Sequence, residues 1–377
     1  MTPSLPAELA PPNVRGLSPY VPGKPIDDLA RELGLTDIVK LASNENPLGA
    51  SPAARAALAE ADVDLALYPD GSAHALRGAL AAHCGCAPDM ITMGNGSNDV
   101  LELIAQAFLG PGREAVFSEH AFAVYPIVTQ ATGATARVVP ALGPQSDMPL
   151  GNDLEAMAEA VGEETSVVFL ANPNNPTGTW VLEAPLLAFL ESVPPSVLVV
   201  LDEAYTEYVT ESGFPDGLRL LSRFPNLVVT RTFSKIHGLA GLRVGYGVSS
   251  PQIADLLNRV RQPFNVNSLA LLAAQAALGD TTFVARSRDS NLAGLKQLKT
   301  GLSELGLSTI PSVANFITVD VSRPAGPVYE ALLREGVIVR PVGNYGLPSH
   351  LRITVGTQAQ NARVLAALKR VLDQPRP

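Results

Sequence analysis

Short valine-rich runs, separated by helical segments, recur through the first two thirds of the chain. Ile91 to Met93, Ala115 to Phe117, Ala136 to Val139, Val167 to Leu170, Val197 to Leu201 and Leu227 to Thr230 are apolar at nearly every position. A strand with one wet face alternates polar and apolar residues, whereas a strand buried on both faces does not. The runs therefore predict a mostly parallel sheet covered by helices. Those helices include Ser51 to Ala61, with Ser51 as cap and Pro52 at its first position, Ser72 to His83, and Val100 to Leu109. Val244-Gly245-Tyr246-Gly247-Val248 closes the series as a glycine-spaced strand. Beyond Gln262 the pattern changes. Helices are expected at Ser268 to Leu278, Thr282 to Leu305, Pro327 to Glu335 and Ala359 to Leu372. Strands are expected at Asn315 to Val319, Val337 to Arg340 and Leu351 to Val355. Ahead of the sheet, Leu5 to Pro25 is rich in proline and glycine and reads as an extended arm, followed by a helix at Ile26 to Leu33. The expected organisation is an arm and short helix over 1–40, a large α/β domain over 41–262 and a smaller α+β domain over 263–377.

The balance of 27 basic against 36 acidic residues gives a net charge of −9, which repels phosphate backbones and anionic lipid. Nucleic acid and membranes are thus not expected as partners, whereas a small phosphorylated molecule needs only a few arginines in one pocket. Both cysteines, Cys84 and Cys86, sit beside Gly85 and read as a helix end and turn. A metal site at His83-Cys84-Gly85-Cys86 would lack further ligands. The first twelve residues lack a basic region followed by an apolar one, and with this cysteine usage the expected location is the cytoplasm.

Chemistry is concentrated at two strand ends. Val197 to Leu201 runs into Asp202-Glu203-Ala204-Tyr205, placing an acid where parallel sheets present their ligand sites. Alone, it reads equally as a strand end with a helix-capping acid. The following run ends in Thr232-Phe233-Ser234-Lys235 and then glycines. A lysine there can lie in a partly desolvated pocket, where burial and cationic neighbours lower its pKa and make the amine a nucleophile toward carbonyls. Alone, it reads as a surface lysine.

Taken together, Asn172-Pro173-Asn174-Asn175-Pro176-Thr177-Gly178, Asp202 to Tyr205, and Ser234-Lys235 with Arg243 eight residues later resemble the fold-type I pyridoxal-phosphate aminotransferases. Leu17 to Tyr20, Ser43-Asn44-Glu45-Asn46-Pro47, Tyr68-Pro69-Asp70, Leu239 to Arg243 and Leu351 to Gly356 are similar to motifs of the histidinol-phosphate aminotransferases, over residues 17 to 357. The resemblance implies the fold, the cofactor pyridoxal 5′-phosphate, and a set of roles. Lys235 would join the cofactor as a Schiff base and shuttle the proton. Asp202 would pair with the pyridine nitrogen, and Asn175 and Tyr205 with the phenolic oxygen. Thr232, Ser234, Arg243 and the amides of Ser97, Asn98 and Asp99 would hold the phosphate. Phe122 would stack on the ring, with Tyr125 as the alternative. Tyr68 would reach the neighbouring subunit's cofactor in a homodimer. Arg340, Arg352, Tyr20 and Asn44 would bind substrate. The implied reaction is amino transfer between histidinol phosphate and 2-oxoglutarate in histidine biosynthesis. An aromatic-amino-acid aminotransferase and a threonine-phosphate decarboxylase on the same scaffold are the alternatives. His237, two residues past the lysine, is expected to line its loop.

Overall fold

A computed structural model of the chain describes residues 6–373; the proline-bearing ends, 1–5 and 374–377, lie outside the described residues. Thirteen strands occur in chain order: β1 Val39–Lys40, β2 Ile91–Gly94, β3 Glu114–Ser118, β4 Thr135–Val139, β5 Thr165–Ala171, β6 Leu198–Asp202, β7 Leu227–Thr232, β8 Gly245–Val248, β9 Ser308–Thr309, β10 Phe316–Asp320, β11 Val337–Ile338, β12 Arg340–Pro341 and β13 His350–Thr354.

Seven of them form one sheet in the order β2-β8-β7-β6-β5-β3-β4. Every neighbouring pair is parallel except the two that include β8. Strands β6 and β7 are buried at every position, so their valines and leucines pack against helices above and below. The reversed direction of β8 has a consequence for the site. Its first residue, Gly245, lies opposite both Thr232, the last of β7, and Gly94, the last of β2. The ends of β2, β6 and β7 and the start of β8 therefore share one sheet edge. A Cβ on Gly245 would stand 2.4 Å from the Ser97 amide nitrogen. Glycine there lets the helix Ser97–Phe108 bring its N-terminus down onto that edge.

The smaller sheet, β12-β13-β10-β9, is antiparallel throughout. Its core joins Ile317, Val319, Leu351 and Ile353 to Leu298 and Leu302 of the helix Thr281–Glu304 and to Val364 and Leu368 of the helix Gln358–Asp373. Asp280 caps the longer helix, its carboxylate accepting from the Phe283 amide. Among the described residues, no single helix is long and apolar enough to cross a membrane.

Two expectations need correction. The run Val337 to Arg340 is not one strand. Val337–Ile338 pairs in parallel with β1, whereas Arg340–Pro341 pairs antiparallel with β13, so the chain changes partners at Val339. The arm is not extended throughout either: Pro6–Leu9 is a 3-10 turn and Pro12–Arg15 a short helix. Its Asn13 side chain donates to the Gln130 and Ala131 carbonyls at 3.1 and 2.9 Å, satisfying orphan acceptors at the end of the helix Val124–Ala131.

Candidate active site

A cavity of about 430 Å³ opens at the shared sheet edge, closed on one side by the smaller sheet and by the arm. Its deepest charged group is the carboxylate of Asp202, last residue of β6 and 5% exposed. The Tyr125 hydroxyl donates to Oδ2 at 2.9 Å and the Thr230 hydroxyl to Oδ1 at 3.0 Å. Burial raises the pKa of this carboxyl, while those two hydrogen bonds, the Ala204 amide and the charge of Lys235 act to lower it. No cation forms a salt bridge with Asp202 among the described residues, so a buried carboxylate faces the cavity with two hydroxyls and a backbone amide as its partners.

Lys235 follows β7 in the loop after the sheet edge. Its Nζ donates to the Ser43 carbonyl at 3.2 Å and lies 5.7 Å from the centre of the Tyr205 ring. Burial, then the nearby charges of Arg352 and Arg243, bring its pKa down to about 8, against partial opposition from Glu45 and Asp202. Tyr205 is also buried, and its pKa is pushed up to about 12, chiefly by burial. The Asn44 amide donates to the Tyr205 oxygen at 2.9 Å, which leaves the phenol proton free to donate.

At one end of the cavity the N-terminus of the Ser97–Phe108 helix meets Thr232, Ser234 and Arg243. Arg243 adopts a left-handed backbone, φ 58°, and its Nη1 lies 3.4 Å from the Ser234 hydroxyl. A Cβ on Gly96 would stand 2.6 Å from the Arg243 guanidinium and push it aside, and at φ 85° any side chain there would be strained. Free amides, two hydroxyls and a guanidinium thus form a cup for an anion.

At the other end stand Arg340 and Arg352, directly opposite one another across β12 and β13. They are 8% and 5% exposed, and neither forms a salt bridge among the described residues. Arg352 donates to Asn175 Oδ1 and, at 2.8 Å, to the Ala42 carbonyl, while its Nε is buried without a partner. Arg340 donates to the Val21 carbonyl of the arm at 2.7 Å and lies 5.5 Å from the centre of the Tyr20 ring. Like charges facing each other across antiparallel strands repel. Burying each ion without a counter-charge costs several kcal/mol, on the order given by desolvation. An anion between them would offset both terms. A larger cavity of about 780 Å³ adjoins under the arm and shares Tyr20 and Arg340 with the first.

The cavity gathers Lys235, Asp202, Tyr205, Asn175, Phe122, Ser97, Asn98, Thr232, Ser234, Arg243, Tyr20, Asn44, Arg340 and Arg352. Two residues named from the sequence lie elsewhere. Asp99, named for its backbone amide at the helix start, is not among the residues lining the cavity, and its carboxylate accepts from the Asn95 amide at 2.8 Å and from Asn265 at 2.7 Å. Tyr68 is 80% exposed and stacks on Phe264, with ring centres 4.7 Å apart. Tyr125 is not available for stacking in the cavity: it is fully buried under Asp202, packed flat on Phe169. Phe122 lines the cavity, as does Ala204. Asn44 also lines it, but its amide is engaged by Tyr205 and by the Thr354 hydroxyl. His237 borders a separate cavity, and burial brings its pKa down to about 4. Sequence reasoning missed the support of Asp202 by Tyr125 and Thr230, since hydrogen bonds between separate strands and helices leave no mark in local spacing.

The sequence model of the family described as aminotransferase class I and II matches residues 36–368. The chain belongs to this family. Among class I and II aminotransferases, it is 62% identical to histidinol-phosphate aminotransferase 2 of Pseudomonas fluorescens over 366 residues, covering 97% of each chain. The corresponding protein of Pseudomonas aeruginosa is 59% identical, with 97% of this chain and 98% of the other covered. A crystal structure of histidinol-phosphate aminotransferase from Sinorhizobium meliloti in complex with pyridoxal-5′-phosphate superimposes with a TM-score of 0.87 at 30% identity, covering 96% of each chain.

Proposed function

We propose that this aminotransferase moves the amino group of L-histidinol phosphate to 2-oxoglutarate, giving imidazole acetol phosphate and L-glutamate in histidine biosynthesis, with pyridoxal 5′-phosphate as cofactor. The observation that carries the reading is the pair of buried, uncompensated guanidiniums of Arg340 and Arg352 across from each other on β12 and β13. Both amino donor and amino acceptor bring an anionic end, and one arginine pair serves phosphate and carboxylate in turn.

The donors present suit the cofactor. The Ser97–Phe108 helix start, Thr232, Ser234 and Arg243 would hold its phosphate, in a cup that a side chain on Gly96 would fill. Asp202, kept in place by Tyr125 and Thr230, would retain a proton on the ring nitrogen. Tyr205, with its proton free, and the Asn175 amide, whose oxygen is occupied by Arg352, would donate to the ring oxygen. Phe122 would cover the ring face. When bound, the cofactor supplies an aldehyde that reacts with amines and a cationic ring that withdraws the electron pair released at the substrate carbon. Lys235 Nζ, desolvated and flanked by arginines, accepts a proton near neutral pH and returns it within the same cavity. Tyr20 and the arm border the outer side, and Arg340 ties the arm down through the Val21 carbonyl.

We also read the active form as a homodimer in which Tyr68 completes the phosphate cup of the neighbouring copy. Tyr68 projects from its own chain beside the exposed Leu65 and Leu67, an apolar patch that favours a protein partner. Cys84 and Cys86 are free thiols, in keeping with a reducing compartment, and we place the enzyme in the cytoplasm.

Substrate choice is tested by comparing histidinol phosphate, phenylalanine and threonine phosphate at one enzyme concentration. Histidinol phosphate is expected to exceed phenylalanine in kcat/KM by roughly tenfold to a hundredfold, the worth of hydrogen bonds to a charged group. Arg352→Met should remove most of that advantage. A preference for phenylalanine, or carbon dioxide release from threonine phosphate, overturns the assignment.

A further inference from the structure

The turn that joins the two arginine strands carries a buried tyrosine with no role in the site as described so far. Gly343–Tyr345 connects β12 to β13, and the Tyr345 ring packs with Ile310, Val342 and Leu347 at 4% exposure. Its hydroxyl lies within the field of Arg352, Tyr20 and Arg340, and the ring borders the cavity that Tyr20 and Arg340 share with the inner site.

The turn is held from behind. His120 Nδ1 lies 2.7 Å from the Tyr345 carbonyl. A carbonyl can only accept, so Nδ1 carries the proton. Gly346, at φ 78°, supplies the left-handed turn beside the imidazole, a backbone shape that side-chain-bearing residues rarely adopt. The His120 carbonyl in turn accepts from Asn174 at 3.0 Å, in the segment that also presents Asn175. One chain of hydrogen bonds thus runs from the cofactor-side turn to the substrate-side turn.

We propose that the Tyr345 hydroxyl is a specificity-determining donor to the anionic end of the substrate, favouring a tetrahedral phosphate ester over a planar carboxylate, with His120 as its positioning residue. A carboxylate offers two oxygens, which two arginines satisfy. A phosphate monoester offers three, and the third needs a further donor at an angle the arginine forks do not cover. The inference rests on the reading of histidinol phosphate as substrate.

The test measures both half-reactions of the holoenzyme. In Tyr345→Phe, KM for histidinol phosphate should rise about tenfold more than KM for glutamate, the loss of one hydrogen bond to a charged group. Inorganic phosphate, used as an inhibitor of the glutamate half-reaction, should weaken by a similar factor. His120→Asn, which keeps a donor near the Nδ1 position, should hold the wild-type ratio, whereas His120→Leu should move it toward that of Tyr345→Phe. An equal change in both KM values, or none, overturns the role of Tyr345. If wild-type enzyme does not turn over histidinol phosphate, the substrate assignment fails, and the inorganic phosphate comparison still decides whether Tyr345 recognises a tetrahedral anion.

Discussion

Lys235→Ala is expected to lower turnover by at least about 10⁴-fold, the upper range of what a positioned acid–base group contributes. The same substitution should abolish the visible absorption of the lysine-linked cofactor. The cup of Arg243, Ser234 and the helix start remains, so cofactor should still bind, without the covalent link. Retention of a tenth of wild-type kcat would remove Lys235 from the mechanism. Wild-type protein stripped of cofactor offers a companion measurement. Burial and the arginine charges set the Lys235 pKa to about 8, so the uncharged, reactive amine is the minor form at pH 7 and the major form at pH 9. Capture of added cofactor should therefore accelerate by up to about tenfold per pH unit below pH 8 and level off above it. A rise that continues toward the ordinary lysine range would show that neither burial nor the cationic neighbours lower its pKa.

Asp202→Asn is the second large effect. The carboxylate accepts from two hydroxyls, Tyr125 on Oδ2 and Thr230 on Oδ1. An amide keeps one acceptor and sets its NH2 group against the other hydroxyl, which must turn away. The negative charge beside the ring nitrogen is lost as well. Removal of such a preorganised charge is expected to lower kcat by about 10²–10³-fold. Thermal unfolding and cofactor phosphate binding should change far less, because the cup and the sheet are untouched. A kcat within tenfold of wild type would remove the proposed ring-nitrogen partner. Tyr125→Phe, which takes away one support and leaves the charge, should fall between the two.

Much of this arrangement was legible in the chain. The valine-rich runs marked the strands of the large sheet because burial on both faces leaves no polar alternation to obscure them. Ser51 and Pro52 marked a helix start, and the Ser51 hydroxyl does accept from the Ala54 amide. Asp202, at the end of a buried run, and Lys235, three residues past the next one, were ambiguous singly and stood out only through the joint motif order that resembles the aminotransferases. What stayed hidden depends on partners distant in sequence. The opposition of Arg340 and Arg352 follows from strand register, which the eleven residues between them do not dictate. The division of Val337 to Arg340 between two sheets depends on where β1 lies. Tyr125 stood as the alternative to Phe122, and its hydroxyl is bonded to Asp202, 77 positions away. The Asp99 carboxylate accepts from Asn265, a pairing across 166 positions that no local pattern announces.

Asn44 carries a mechanical implication. Its backbone sits at φ 57°, its amide oxygen accepts from Thr354 of β13, its own carbonyl accepts from Asn315, and its NH2 group reaches Tyr205. The loop is thereby riveted to the strand that bears Arg352 and to the phenol beside the lysine. Grip at the far end of the substrate and alignment at the reacting end are thus joined through one asparagine, whose replacement would loosen both.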